Sequence, residues 1–184
     1  MSKIDKLKSG IQASYQTNND AKETLKKQGF KLDESLSGQR AKVYTNEQGK
    51  PHIAFRGTNN KSDVVTDIKS FLGIKNKRLE HSKKVAKDVE KKYGRPATAI
   101  GHSLGGFLAE NSGVHGEVVT YNKLATGRTK KNDKQTDIRT KNDLASILTQ
   151  KKKKNVTLKS KSVNPLVSHS TKSLKQKNII KNKK

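Results

Sequence analysis

A short serine segment flanked by glycines carries the clearest chemical signature in this sequence. Residues 101–106 read GHSLGG and contain the G-x-S-x-G pattern, in which a serine occupies a sharp turn between a strand and a helix. The small glycine neighbours permit that turn and leave the serine hydroxyl exposed. The N-terminus of the following helix can direct the Leu104 backbone N–H toward an oxyanion. An apolar run at 97–100 precedes the segment and a helical run at 107–111 follows it. The context therefore favours a nucleophile at Ser103 over a plain glycine-rich turn.

Three segments together resemble the leading signatures of the class-three lipases. They agree with that family in order and spacing, and they read IAFRGT at 53–58, SDVVTDI at 62–68 and GHSLGG at 101–106. The resemblance is strongest over residues 41–122. It implies an α/β-hydrolase fold, acyl-ester hydrolysis and a Ser–Asp–His triad in that chain order. It also implies that Thr58, which follows the Arg-Gly pair, donates its hydroxyl to the oxyanion.

The chain also departs from that family. It is shorter than typical members, and no separate hydrophobic lid can be identified in the sequence. A small esterase or a phospholipase therefore fits as well as a lipase, within the class of carboxylic ester hydrolases. We interpret Arg56 and Asp67, which lie in the first two signatures, as a charged pair that braces loops near the end of the sheet.

The triad order requires an acid after the serine, and three aspartates are available. Asp133 lies in a basic loop, and Asp137 opens a predicted strand. Asp143 lies just past that strand, in a segment at 142–144 that resembles the acid loop of the family. We therefore expect Asp143 to be the acid. Its alternative role is the N-cap of a helical piece at 144–148, and one residue could serve both purposes.

The histidine of the triad is simpler to assign. His169 is the one histidine that follows Asp143 in the sequence, so we expect it to be the general base. His102 belongs to the serine motif and is expected to pack beneath it. The other histidines form no pair with convincing metal-ligand spacing, and a serine triad needs no metal or cofactor.

The elements that must position these residues follow from hydrophobic periodicity and turn residues. Residues 1–38 are expected to be a polar helical cover over the core, with one helix that Gly29 ends. The predicted strands and helices after it alternate, at 41–45, 51–56, 64–72, 77–93, 97–100, 107–111, 117–121, 135–139, 144–148 and 155–159. This alternation predicts the α/β class, with a mostly parallel sheet flanked by helices. We expect one domain over 1–175 and a flexible basic tail over 176–184.

Composition limits the classes of protein. The sequence has no cysteine, which excludes a disulfide framework, a thiolate zinc site and a cysteine nucleophile. It has no apolar run of signal-peptide or membrane-spanning length, so the expected location is cytoplasmic or virion-associated.

The net charge of +25 bears on partners. Residues 144–184 alone contain 12 lysines and no acidic residue. Such a surface predicts attraction to an anionic membrane or to nucleic acid, in addition to a lipid or small ester substrate, although a solubilising role would give the same composition. The competing hypothesis is a basic nucleic-acid- or virion-associated binding protein on a hydrolase scaffold. A scaffold kept only for binding has no need of Thr58, Ser103, Asp143 and His169 together.

Overall fold

The computed structural model describes residues 3–58, 77–124, 133–143, 156–158, 170–171 and 179–180. Within these ranges the elements are, in chain order, α1 (Lys3–Ser14), α2 (Asn18–Lys26), β1 (Lys31–Leu32), β2 (Ala41–Thr45), β3 (Pro51–Phe55), α3 (Lys77–Tyr93), β4 (Thr98–His102), α4 (Leu104–Asn111), β5 (Val118–Tyr121), β6 (Gln135–Thr140), β7 (Val156–Leu158) and β8 (Ile179–Ile180). The helices predicted at 64–72 and 144–148 lie outside the described residues, as does the segment that carries His169.

The described strands form one eight-stranded sheet in which they lie in sequence order. β1, β2 and β3 pair antiparallel, β3 to β7 pair parallel, and β8 is antiparallel to β7. The carboxyl ends of β3 to β7 therefore meet at one edge of the sheet, which we call the carboxyl edge. The opposite edge is the amino edge. This mostly parallel sheet with flanking helices confirms the α/β class predicted from the sequence.

Helices cover both faces of the sheet, and the period-two alternation of the strands determines which residues they bury. Tyr44 packs in one core cluster with residues of α1 and α2, whereas its neighbour Val43 packs in the other with residues of α3 and α4. Burial of one large apolar side chain contributes about 1.5–3 kcal/mol. None of the helices in the described ranges is long and apolar enough to span a membrane.

The N-terminal segment differs from the prediction of a polar helical cover. It contains two helices and the short strand β1, and α1 buries Leu7 and Ile11 in the core. The break between the helices lies at Thr17, whose hydroxyl caps α2 by accepting the backbone N–H of Asp20. Gly29, with φ of 73°, follows α2 as expected for a helix-ending glycine. The inner side of the segment is part of the core.

The predicted tail contributes two residues to the sheet. Ile179–Ile180 forms β8, and Thr157 and Leu158 of β7 are its partners. The division into a domain over 1–175 and a flexible tail over 176–184 stays a prediction.

Candidate functional site

Ser103 lies at the sharp turn between β4 and α4. Its backbone has φ of 56° and ψ of −125°, a conformation that non-glycine residues adopt only at a cost of about 1–3 kcal/mol. Ser103 is the N-cap of α4, but its side chain makes no capping hydrogen bond, although serine at this position normally does. The residue is only 4% exposed, against the expectation of an exposed hydroxyl. The chain after β5 packs on it, with the Leu124 N–H donating to its carbonyl at 3.0 Å.

The glycines of the motif are required by close backbone packing. A Cβ on Gly101 would collide with the Gly105 carbonyl, and one on Gly105 would lie 2.9 Å from the backbone N of Gly57. A Cβ on Gly106 would lie 2.6 Å from Cβ of Lys123. The G-x-S-x-G-G pattern therefore brings the first turn of α4 against both the chain that follows β3 and the chain that follows β5.

The loop after β3 brings Thr58 to the same place. A Cβ on Gly57 would lie 2.6 Å from the His102 carbonyl oxygen, so this loop runs in direct contact with the turn that carries Ser103. Thr58 is the next residue and is half-buried. Leu104, whose N–H is the other predicted oxyanion donor, begins α4 and is buried. The structure brings the regions of both predicted donors together around the serine.

Tyr15, just beyond the end of α1, contacts this loop and was not anticipated from the sequence. Its hydroxyl lies 3.3 Å from Nδ1 of His102 and hydrogen-bonds to the Gly57 backbone. Burial raises the pKa of Tyr15 to about 12, although Gly57 and the nearby Arg56 lower it in part. At neutral pH the hydroxyl is therefore protonated and can donate to His102. The imidazole of His102 stacks on Tyr121 and is buried, so it packs beneath the motif as predicted.

Asp143 lies at the carboxyl edge, in the turn that follows β6. Its backbone N–H donates to the Thr140 carbonyl at 3.1 Å, and the residue is 2% exposed. Because β5 separates β4 from β6, the ends of those two strands lie roughly 10 Å apart. One imidazole with a hydrogen bond on each side can bridge such a gap when the side chains extend toward it. Asp133, by contrast, precedes β6 and lies at the amino edge.

Asp137 is held in a buried polar network on the α4 side of the sheet. Its carboxylate accepts from the Thr120 hydroxyl at 2.7 Å, the Gln135 amide at 2.9 Å and the Lys123 ammonium at 3.0 Å. Lys123 also pairs with Glu110 of α4 at 2.7 Å. Through these bonds the Asp137 carboxylate connects α4 with β5 and β6. Asp143 is therefore better placed than Asp137 to serve as the acid, and its role stays a prediction.

The turn that carries Asp143 is attached to the strand beside the serine. Asn122, which is fully buried and has φ of 42°, accepts the Thr140 backbone N–H at 2.7 Å and donates to its hydroxyl at 3.3 Å. The Tyr121 hydroxyl lies 2.9 Å from the same Thr140 hydroxyl. These contacts fix the end of β6, and hence the start of the turn, relative to β5.

Comparison with protein families matches residues 6–156 to a phospholipase-like family, described as a Tle-like phospholipase domain. The chain belongs to this family. Membership in this family supports the general prediction that the chain hydrolyses lipid esters. The matched residues include Thr58, Ser103 and Asp143 and end before His169. No curated protein matches the chain.

His169 cannot be placed relative to the other predicted site residues, because it lies outside the described residues. The same applies to Asp67, the predicted partner of Arg56. Of the predicted site residues, the described part of the chain therefore brings Thr58, Ser103 and Leu104 together and places Asp143 at the same edge.

Proposed function

We propose that the protein is a serine hydrolase that cleaves an acyl ester of a phospholipid, with Ser103 as its nucleophile. The backbone of Ser103 carries the proposal. A buried serine with φ of 56° between a parallel strand and a helix is in a strained conformation, and strain of this kind clusters at functional sites. The turn keeps the hydroxyl out of the helix cap and directs the positive end of α4 at it.

In the proposed reaction, Oγ of Ser103 attacks the acyl carbonyl carbon while His169 accepts the hydroxyl proton. The carbonyl oxygen becomes an oxyanion, which the Thr58 hydroxyl and the Leu104 N–H stabilise. The C–O bond to the leaving alcohol then breaks, and His169 returns its proton to that oxygen. Water cleaves the acyl-enzyme by the same steps and releases the fatty acid.

Asp143 is the proposed orienting acid. Its carboxylate would accept from Nδ1–H of His169 and so leave Nε2 free to take the serine proton. Two features favour this assignment: the turn of Asp143 is fixed to β5 through Thr140, and Asp137 is engaged in the buried network. His169 follows β7, whose carboxyl end is at the same edge.

The choice among ester substrates rests on the family. A phospholipase-like family favours a phospholipid over a triglyceride. Within that choice, the resemblance of residues 41–122 to the class-three lipases supports hydrolysis at an acyl ester, since that family forms an acyl-enzyme on serine.

Turnover on a panel of p-nitrophenyl esters and phospholipids tests the proposal. We expect hydrolysis of an acyl ester that Ser103→Ala reduces by at least about three orders of magnitude. Ser112→Ala is the matched control, because Ser112 is a buried serine at the other end of α4 whose hydroxyl bonds only to the Ala109 carbonyl in the described structure. Equal activity of wild-type protein and the folded Ser103→Ala variant would contradict the mechanism.

The net charge of +25 favours a second candidate, a binding protein for nucleic acid or an anionic membrane. In that case Ser103→Ala should bind polyanions as well as the wild-type chain does, and neither should hydrolyse any ester on the panel. Binding would weaken with salt because it depends on counterion release.

A further inference from the structure

Basic side chains cluster at the carboxyl edge, on the side of the site formed by β2, β3 and the start of α3. We call this cluster the cationic rim; it consists of Arg40, Arg56, Arg78 and the buried Lys42. Ala41 of β2 pairs with Phe55 of β3, so the start of β2 and the end of β3 lie side by side. The rim is therefore beside the loop that carries Thr58.

Hydrogen bonds connect the members of the rim to one another and to the loop. The Arg78 guanidinium donates to the Arg56 carbonyl at 2.6 Å, and the backbone N–H of Arg56 donates to the Arg40 carbonyl at 3.0 Å. The Lys42 ammonium donates to the Gly38 carbonyl at 2.7 Å. Lys42 and Arg78 thus each have a neutral backbone carbonyl as one of their partners.

The charges of the rim act on one another and on the adjacent His81. Burial lowers the pKa of His81, and the nearby Arg40, Lys84 and Arg78 lower it further. Burial and the Arg56 charge likewise lower the pKa of Lys42. Two carboxylates of the flanking elements in the described structure pair with other cations: Glu80 with Lys83, and Asp33 with Lys92. A local positive potential of this kind favours an anion.

One member of the rim, Arg56, lies near the turn that carries Ser103. The Arg56 guanidinium lies over the Tyr15 ring, 5.8 Å from its centroid, and the Tyr15 hydroxyl contacts His102 beside Ser103. In a glycerophospholipid, the phosphorus is about five or six bonds from an acyl carbonyl carbon, or roughly 6–7 Å. An acyl carbonyl at Ser103 would therefore place the phosphate near the rim.

We infer that the cationic rim is a subsite for the headgroup phosphate of an anionic phospholipid substrate, an inference that rests on the proposed function. Arginine suits this role because its guanidinium forms paired hydrogen bonds with phosphate oxygens. The rim would bind the phosphodiester while the acyl ester reacts at Ser103, so it would favour phospholipids with net negative charge over uncharged diacylglycerols.

Charge reversal at Arg40 tests the subsite. Arg40 is exposed, and its guanidinium has no partner among the described residues. The control is Lys91→Glu, because Lys91 is also exposed and lies on α3 about 20 Å from Arg78, beyond two Debye lengths of about 8 Å. The substrates are dihexanoylphosphatidylglycerol and dihexanoylglycerol, both kept monomeric so that attraction to a bilayer does not contribute.

We expect Arg40→Glu to lower the ratio of kcat/KM for the phospholipid to kcat/KM for the diacylglycerol by about tenfold, mainly through KM, and Lys91→Glu to leave it within about twofold. If both variants keep the wild-type ratio, the inference is wrong. The proposed function would stand in that case, because the wild-type chain would still hydrolyse both esters.

Equilibrium binding of the dihexyl ether analogue of the phosphatidylglycerol separates the subsite from catalysis. We expect the full-length chain to bind it, with affinity that Arg40→Glu reduces and Lys91→Glu does not. Inorganic phosphate should bind much more weakly. No binding, an equal loss in both variants, or equally tight binding of inorganic phosphate would overturn the assignment to a lipid headgroup, whether or not the chain is catalytically active.

Discussion

The two edges of the sheet both hold polar groups that could do chemistry, but they use them differently. At the amino edge, Nδ1 of His115 lies 2.5 Å from Oε2 of Glu90, which resembles a catalytic carboxylate–histidine pair. The other carboxylate oxygen accepts the backbone N–H groups of Ala97 and His115, each at 2.9 Å. At the carboxyl edge, Ser103 has a strained backbone and makes no capping hydrogen bond.

The difference shows that a histidine beside a carboxylate does not by itself make a site. The His115 side chain is 81% exposed, so water screens any charge that develops there. Glu90 stabilises the chain around the start of β4. The carboxyl edge instead combines a buried nucleophile candidate with a helix N-terminus and the loop of Thr58, in surroundings where electrostatic interactions are stronger.

The two aspartates of the β6 region give the sharpest contrast in activity. Asp143→Asn should lower kcat by up to about ten-thousand-fold, because the histidine would hold the wrong tautomer, while leaving the fold intact. Asp137→Asn should lower the free energy of unfolding by about 3 kcal/mol, because it weakens a buried ion pair with Lys123, and should change kcat per folded molecule far less. Urea unfolding measures the stability of both variants, and ester kinetics measure their kcat. A larger loss of kcat in Asp137→Asn than in Asp143→Asn would make Asp137 the acid.

Removal of the predicted oxyanion donor should have the next largest effect. Thr58→Val keeps the shape but loses the hydroxyl, which should cost about 2.7–4 kcal/mol of transition-state stabilisation, or about a hundredfold to a thousandfold in kcat. Thr58→Ser retains the hydroxyl and should stay within about tenfold of wild type. A defect in KM with kcat preserved would show that Thr58 contacts the substrate without stabilising the oxyanion.

A smaller effect is expected at Thr140, whose hydroxyl joins β6 to Tyr121 and Asn122. Thr140→Val removes these buried hydrogen bonds at a cost of about 1–3 kcal/mol in stability. It should also lower kcat about tenfold at nearly constant KM, since the turn of Asp143 is less well fixed. Thr140→Ser should restore both. Loss of stability with kcat unchanged would show that the contact has no positioning role.

The amino edge should show a change in stability alone. Burial raises the pKa of Glu90, but hydrogen bonds from His115 and Ala97 outweigh this and hold its pKa below the usual value of 4.5. The charged form therefore stabilises the fold above about pH 4.5, and this contribution is lost as pH falls. Glu90→Gln should have a lower free energy of unfolding than wild type at pH 7. Near pH 3 the two proteins should be equally stable. The variant should keep the wild-type kcat at pH 7. A fall in kcat would give the amino edge a role in the reaction.

Local patterns in the sequence predicted the elements around Ser103 well. The hairpin of β2 and β3 follows from alternation on either side of a turn cluster, and α3 matches the predicted range because its apolar residues recur at three and four positions. Gly94, at φ of 61°, ends that helix. The turn at Ser103 was predicted from five residues and their neighbours, because its strain and its glycines are local requirements.

Features that depend on distant contacts were not predicted. β1 has two residues, too few to show a period, and it forms because β2 offers a partner. Tyr15 meets His102 across 87 positions of sequence, and nothing near Tyr15 indicates that contact. Lys123 resembles a surface lysine in the sequence but is 1% exposed, because carboxylates from α4 and β6 converge on it. Such clusters arise from the folded arrangement of several elements.

Covalent labelling by a fluorophosphonate tests most directly whether Ser103 is an activated nucleophile. Phosphonylation requires a serine whose proton a neighbouring base can accept, so peptide mapping should find one adduct, on Ser103, and none in Ser103→Ala. The labelling rate should fall as pH drops below about 6.5, where a histidine base becomes protonated. Absence of an adduct under conditions that label a reference serine hydrolase to completion, or an adduct on another serine, would contradict the account.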